Sequence, residues 1–422
     1  MRIYTYDPAR HQSPNRRSSS SDLPPLAPGT AWVRFGRETL LYVDDEVAAE
    51  PPGAQRATRG ARLAPRHVEA TREQLHVVVQ NGRLFQQHHP DVPVLHDRGR
   101  FLLVQLDPRR ASRLCRDAET CFGVVPLAGD QVVFEERARA AARAPVLFIQ
   151  ALANTLTRAP VEASLTKLVS FGTRLSTSVG HASAATWVRE QLDAMGYTTR
   201  LQDVLVSGGT SRNVIADKVG SGPGTRRVAI VTAHLDSINL QGGPSAPAPG
   251  ADDNASGSAG VIEIARAFKD HRSVHDLRFI LFGGEEQGLF GSKHYVSKLP
   301  PAERARIDAV VNMDMVGSLN SSSHSVLLEG APGSQAVIDG LGEAASTYTQ
   351  LTVETSLHPF ASDHVPFINA GLPAVLTIEG ADNTNSSVHS ANDILEQIDY
   401  GLLLEILRMN VGFVAGVIGR AS

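Results

Sequence analysis

Cysteine is almost missing from this chain: only Cys115 and Cys121 carry a thiol, both in the amino-terminal third of 422 residues. Two thiols cannot build a cysteine-based zinc site alone, and without a visible export signal they are expected to be free. An excess of basic charge is missing too. Lysine and arginine number 40 against 44 aspartates and glutamates, a formal net charge of −4, so no cationic surface points to nucleic acid or an anionic membrane. No run of about 18 apolar residues occurs. The stretch 401–417 is interrupted by Glu405, Arg408 and Asn410 and reads as a packed amphipathic helix. The start, MRIYTYDPARHQSPN, lacks the charged lead and apolar centre of a secretory signal, which leads us to expect a cytoplasmic protein if the chain is complete, with secretion of a trimmed form as the alternative.

What is present changes character along the chain. Residues 1–30, which contain HQSPNRRSSSSDLPPLAPGT, read as a flexible leader rich in serine, proline and arginine. Residues 31–135 hold the strand-like runs TLLYV, QLHVVV and FLLVQL and one helix after Asp107-Pro108, where the aspartate caps and the proline takes the first helical position. This is a small α+β domain of accessory or pro-segment character. Its His88-His89 pair resembles a ligand pair, but beside Pro90 in a turn it reads as exposed. Residues 136–160 are predicted to form a helical connection.

From 161 to 422 helical and strand patterns alternate. SAATWVREQLDAMGY ends in a glycine suited to a left-handed cap, RRVAIVTAHLDS is a strand, and SAGVIEIARAFKD is a helix with Val261, Ile264, Ala265 and Phe268 on one face. LRFILF, AVVNMDMVG and PAVLTIEG add strands. Such alternation implies an α/β fold, a mostly parallel central sheet sandwiched by helices.

The polar residues of this second part collect just past its strands, at the edge where open α/β sheets bind ligands. TAHLDS contributes His234 and Asp236, GADDNASG contributes Asp252 and Asp253, FGGEEQGLFGS contributes Glu285 and Glu286, NMDMVG contributes Asp314, and SSVHSANDIL contributes His389 and Asp393. Each piece alone is commonplace, since an Asp-Asp pair before a helix is usually a cap and an isolated Glu-Glu pair is usually solvated. Their joint placement is not. Two imidazoles and several carboxylates without a thiolate suit zinc or a similar divalent ion. Five ligands serve two ions only if one ligand bridges and solvent completes the coordination, which is the open arrangement of a catalytic site. One glutamate of the Glu-Glu pair can then bind metal while its neighbour handles a proton.

The series TAHLDS, APGADDNASG, FGGEEQGLFGS, NMDMVG, SDHVPFINAGLPA and VHSANDIL resembles the co-catalytic dizinc aminopeptidases of the bacterial leucyl aminopeptidase type, over roughly residues 165–420. The resemblance implies a zinc-exopeptidase fold and two zinc ions per chain. It implies His234 and Asp314 as ligands of one ion, Glu286 and His389 as ligands of the other, Asp252 as the bridge, and a cis peptide between the two aspartates. Glu285 is implied as general base and acid acting with a hydroxide shared by the ions, Asp236 as the residue orienting the His234 ring, and Asp393 in a like role near His389. The implied substrate is a peptide with a free amino terminus, its first residue apolar, and neither nucleic acid nor membrane is an expected partner; the oligomeric state is left open.

Departures from that pattern are a serine after His389 where threonine is common, and HPFA before Ser362-Asp363-His364, which lacks the tyrosine that some members use toward the oxyanion. His358 or a metal ion could stand in for it. The Ser362-Asp363-His364 block is expected to be structural support, and Met315 and Phe360 are candidate pocket walls or core. The competing functions are a metallocarboxypeptidase, which needs a cation for the substrate carboxylate, a single-zinc glutaminyl cyclase, and a binding module that has lost its chemistry.

Overall fold

The computed structural model of the chain describes residues 1–6, 29–43, 66–80, 82–114, 122–137, 139 and 142–421. It divides into two compact units, Met1–Ala138 with Glu354–His358, and Arg139–Val353 with Pro359–Ser422. Both cysteines and residues 7–28 of the expected leader lie outside the described residues.

In the first unit, β5 (Leu75–Gln80), β6 (Val94–Arg98), β7 (Phe101–Gln105) and β8 (Phe122–Pro126) form an antiparallel sheet in the order β6-β7-β5-β8. A second set runs β9 (Gln131–Arg137), β2 (Thr30–Phe35), β3 (Glu38–Val43), β1 (Arg2–Tyr6), β4 (Arg66–His67). β1 corrects the leader expectation: Arg2–Tyr6 pairs with β3, and its Ile3 and Tyr4 are buried. Two short helices, α1 (Leu84–His88) and α2 (Pro108–Leu114), complete the unit. α2 starts as its sequence predicts, with Asp107 Oδ1 accepting from the amides of Arg109 and Arg110 at 2.9 and 3.1 Å. His88 ends α1, exposed.

The second unit opens with α3 (Leu147–Asn154) and α4 (Arg158–Val169). The helical connection expected over 136–160 is helical only from Leu147: β9 extends to Arg137, residues 142–146 are irregular around Pro145, and α3 and α4 are separated at 155–157. After α5 (Val179–Ala194), Gly196 takes φ +87 as the left-handed cap. Then follow β10 (Thr198–Val206), β11 (Gly209–Lys218), β12 (Val228–His234), α6 (Gly257–Phe268), β13 (Asp276–Phe282), α7 (Phe290–Ser297), α8 (Pro301–Arg304), β14 (Ile307–Met313), β15 (Ser325–Glu329), α9 (Gln335–Tyr348), α10 (His364–Asn369), β17 (Ala374–Glu379) and α11 (Tyr400–Ile418), while β16 (Thr352–Ser356) belongs to the first unit from Glu354 onward.

The sheet of this unit is ordered β10-β11-β13-β12-β14-β17-β15. β13, β12, β14 and β17 run parallel, while β10, β11 and β15 attach antiparallel at the edges. Alternation along the central strands explains the layering. Ala229, Val231, Phe279, Leu281 and Val311 face a core completed by α3, α4, α5, α6, α9 and α11, while Val228, Ile230, Ile280, Phe282 and Val310 face Tyr295, Val296 and Phe367 from α7 and α10. α11 is long and apolar enough to cross a membrane by length and composition, yet Leu402, Leu403, Ile406, Leu407, Met409 and Val411 are buried in the first of these cores. The chain leaves β12 for β13 on one side and later crosses to β14 on the other, so a topological switch point lies at the carboxyl end of β12. There the polar residues converge.

Candidate metal centre

His234 is the last residue of β12 and 1 % exposed. Its Nε2 lies 3.2 Å from both Asp253 Oδ1 and Asp314 Oδ1, and 4.0 Å from Glu285 Oε2. His389 Nε2 lies 2.8 Å from Glu286 Oε2 and 3.1 Å from Asp253 Oδ2. Two groups result, His234 with Asp253 and Asp314, and Asp253 with Glu286 and His389, each with its ligand atoms within 4.8 Å of one another. Asp253 belongs to both and offers one oxygen to each.

Asp252, expected as the bridge, is elsewhere. Its Oδ1 accepts from the Gly317 amide at 2.9 Å and its Oδ2 from Asn385 Nδ2 at 2.9 Å, and its carboxyl also pairs with Glu379. The reason is the sharp turn Ala251–Ser256 ahead of α6, with non-helical dihedrals at Asp253 and Asn254: adjacent side chains leave it in opposite directions. The cis peptide is likewise one residue later than expected, between Asp253 and Asn254. Nothing in two identical neighbouring residues distinguishes bridge from brace.

Asp236 lies against the His234 ring, as expected, and does more besides. The His234 ring is held through Nδ1 by the Asp236 backbone oxygen at 3.1 Å, while the Asp236 carboxylate accepts from the amides of Glu285 and Glu286, both at 3.2 Å. Asp393 does the same for the other acidic turn, accepting from the amides of Asp252 and Asp253 at 2.8 and 2.9 Å. Each histidine loop thus carries an aspartate that fixes the backbone of one acidic pair, and the Asp236 carboxylate also stands 3.8 Å from His234 Nδ1. Ser362, in the block expected to be structural, donates to Asp314 Oδ2 at 2.6 Å. His364 is fully buried beside Glu329, in neither donor group. His358 is committed away from any oxyanion role, its Nε2 donating to the Val132 carbonyl at 3.0 Å. Met315 is 7 % exposed and Phe360 half-buried, its amide donating to Glu329 Oε1.

Backbone strain gathers around these side chains. Non-glycine residues with positive φ include His389 itself at 56°, Met315 directly after Asp314 at 54°, Ala361 directly before Ser362 at 39° and Leu289 after the Glu-Glu turn at 60°. Each such conformation costs of order 1–3 kcal/mol and persists where the surroundings impose it, as functional sites do.

Electrostatics explains what the cluster is built for. Burial disfavours charge on both imidazoles, but the carboxylates facing them outweigh it and raise both rings well above their ordinary range, Asp314 and Glu285 at His234, Glu286 and Asp253 at His389. Burial pushes Glu285 well above the carboxylate range against the pull of His234, with Asp314, Asp363 and Glu286 adding to it, and lifts Glu286 and Asp363 to about 7. Asp253 alone is lowered: burial opposes this, but hydrogen bonds from both histidines prevail. Glu286 Oε1 is buried without a hydrogen-bond partner. Among the described residues no ion pair joins a lysine or arginine to these carboxylates. A divalent cation would relieve their mutual repulsion and satisfy that oxygen, and imidazole nitrogens with carboxylate oxygens and no thiolate are the donors such an ion prefers.

A parallel sheet with this donor set at its switch point defines a candidate site for divalent metal ions. Residues 213–414 match the model of Peptidase family M28, and the chain belongs to that family. It is 30 % identical over 278 residues to a probable leucine aminopeptidase of Trichophyton verrucosum, covering 61 % of this chain and 72 % of that one. It is 35 % identical over 221 residues to leupeptin-inactivating enzyme 1 of Streptomyces exfoliatus, covering 52 % of this chain and only 47 % of that relative's length. In fold it is similar to the LapA aminopeptidase of Legionella pneumophila, with a TM-score of 0.59 at 18 % identity over 82 % of this chain and 99 % of that one.

Proposed function

We propose that this chain is an aminopeptidase that removes an apolar amino-terminal residue from peptides, using two zinc ions, one held by His234, Asp253 and Asp314 and the other by Asp253, Glu286 and His389. The observation that carries this reading is the Asp253 carboxylate, whose two oxygens face two different imidazoles. Bound ions of this kind polarise a scissile carbonyl and make a water acidic enough to attack at neutral pH. The chain's own residues supply the rest. Glu285 stands outside both donor groups, 4.0 Å from His234 Nε2, on an amide fixed by Asp236. Its raised proton affinity suits a group that takes the proton of the attacking water and returns it to the leaving amine. The preference for an apolar first residue is supported by the relatives named leucine aminopeptidases and by Leu240, an exposed residue whose amide donates to the His389 carbonyl at 3.1 Å.

The test is hydrolysis of leucine p-nitroanilide compared with its N-acetylated form and with a peptide blocked at the amino end. Turnover of the free-amine substrates alone, abolished by a chelator and restored by zinc, is expected. Cleavage only from the carboxyl end, or cyclisation of an amino-terminal glutamine without peptide hydrolysis, would replace this reading.

A further inference from the structure

One charged side chain beside the centre has no part in the chemistry above. Arg174 is fully buried, yet among the described residues it makes no ion pair with a carboxylate and its side chain donates to backbone carbonyls. Its Nε donates to Leu235 O at 2.9 Å, one Nη to Leu168 O at 3.3 Å and Pro249 O at 2.6 Å, and the other Nη to Gly250 O at 2.8 Å. Leu235 follows His234 directly, and Gly250 lies three residues before Asp253. The Arg174 main chain joins the same two loops, its amide donating to Ser237 Oγ at 3.1 Å while that hydroxyl donates to Ala248 O at 2.8 Å.

Gly250 records how close the approach is. It has φ +52, and a Cβ there would lie 2.4 Å from Asp253 O, 2.6 Å from Ser237 Cβ and 3.0 Å from the guanidinium. A side chain at 250 would push the arginine and the bridging aspartate apart.

We infer that Arg174 is a positioning residue for the metal centre, its planar fork pinning the His234–Asp236 loop to the turn that carries Asp253 and thereby setting the spacing between the donors those two loops contribute. Such a planar, rigid set of donors reaches several carbonyls at once, which an ammonium on a flexible stem cannot reproduce. Burial lowers the Arg174 pKa to about 10, with Asp393, Asp236 and Asp253 opposing the fall, so the side chain remains cationic at neutral pH and its charge also lies within reach of the acidic loops it holds. A guanidinium buried only to satisfy the fold has no reason to select the carbonyls of two donor loops.

This inference rests on the proposed zinc aminopeptidase function, and its test separates the two. Zinc affinity of the full chain is measured by competition with a chromophoric chelator for the wild type, Arg174→Lys and Arg174→Met, with near-ultraviolet circular dichroism as the check on folding and kcat and KM on leucine p-nitroanilide alongside. Changes to groups that orient metal ligands typically cost about 10–100-fold in affinity. A loss of that size in folded Arg174→Met, a smaller loss in Arg174→Lys, and a fall in kcat with KM nearly unchanged are expected. A folded variant with wild-type zinc affinity and kcat overturns the inference, and if Arg174→Met does not fold, Arg174→Lys decides on the same criterion. A wild type that binds no zinc removes the functional reading and this inference with it, whereas a zinc-binding wild type with an unaffected Arg174→Lys removes only the inference.

Discussion

The two donor groups share Asp253 and are otherwise built unlike one another. In the inner group His234 and Asp314 are buried and braced, the imidazole by the Asp236 carbonyl and the carboxylate by the Ser362 hydroxyl. In the outer group Glu286 keeps an oxygen without a hydrogen-bond partner, and His389 is half-buried on a backbone of positive φ. Glu285, the proposed base, lies against the inner group, 4.0 Å from His234 Nε2. The contrast is one of side-chain bracing: both inner ligands are held by a neighbour's oxygen, while in the outer group the backbones are fixed and Glu286 Oε1 is left open toward a cation. Preorganisation near the charge that develops in the reaction is where a rigid site gains most.

The sharpest way to strain that comparison is Glu285→Gln. It keeps the shape and both donor groups while removing the proton acceptor, so zinc content should be unchanged and kcat should fall by about 10²–10⁴-fold. Substantial residual turnover would move the base elsewhere. Next comes His389→Ala, which strikes the outer group alone: elemental analysis should find about one zinc lost per chain with the inner group still loaded, and activity reduced. Loss of all metal would mean that the two groups form a single unit rather than a braced and an open half.

The smallest expected effect is on stability against pH in the metal-free protein. Glu286 and Asp363 are raised to about 7 and Asp393 to about 8, above their unfolded values near 4, while His234 and His389 are raised above theirs. The folded state therefore holds more protons than the unfolded one, so stability is fully present below pH ~4 as regards these carboxyls and is lost as pH rises through their folded values. Chelator-treated protein should melt at lower temperature at pH 8 than at pH 6, and zinc should protect it more at pH 8, because binding requires neutral imidazoles and ionised carboxylates. A flat melting temperature across that window would show that the cluster does not hold these protons.

Much of this was legible in the sequence because strand-end position is a local property. A short apolar strand followed by glycine or a charged pair marks where the sheet ends, and His234, Glu285, Glu286 and Asp314 stand there in the fold, with His389 reaching the same edge from the loop after β17. What was not legible depends on direction rather than position. Asp252 and Asp253 are chemically identical neighbours, and only the turn before α6 decides which enters the site. The resemblance placed Asp236 beside the His234 ring, where its carboxylate stands 3.8 Å from Nδ1, but gave no sign that the same carboxylate also accepts from the amides of Glu285 and Glu286, some fifty residues distant in sequence. The hairpin β10–β11 escaped notice for another reason. Its outer strand β10 is partly polar and lies at the sheet edge, so its alternation is weak, and the turn at Gly208, with φ +89, is the signal that betrays it.

Zinc stoichiometry of Asp253→Asn set against Asp252→Asn tests the central claim most directly. The account predicts two zinc ions in the wild type, two in folded Asp252→Asn, whose carboxyl braces Gly317 and Asn385, and loss of the pair in Asp253→Asn. Two ions retained by Asp253→Asn, or both lost from a folded Asp252→Asn, would contradict it.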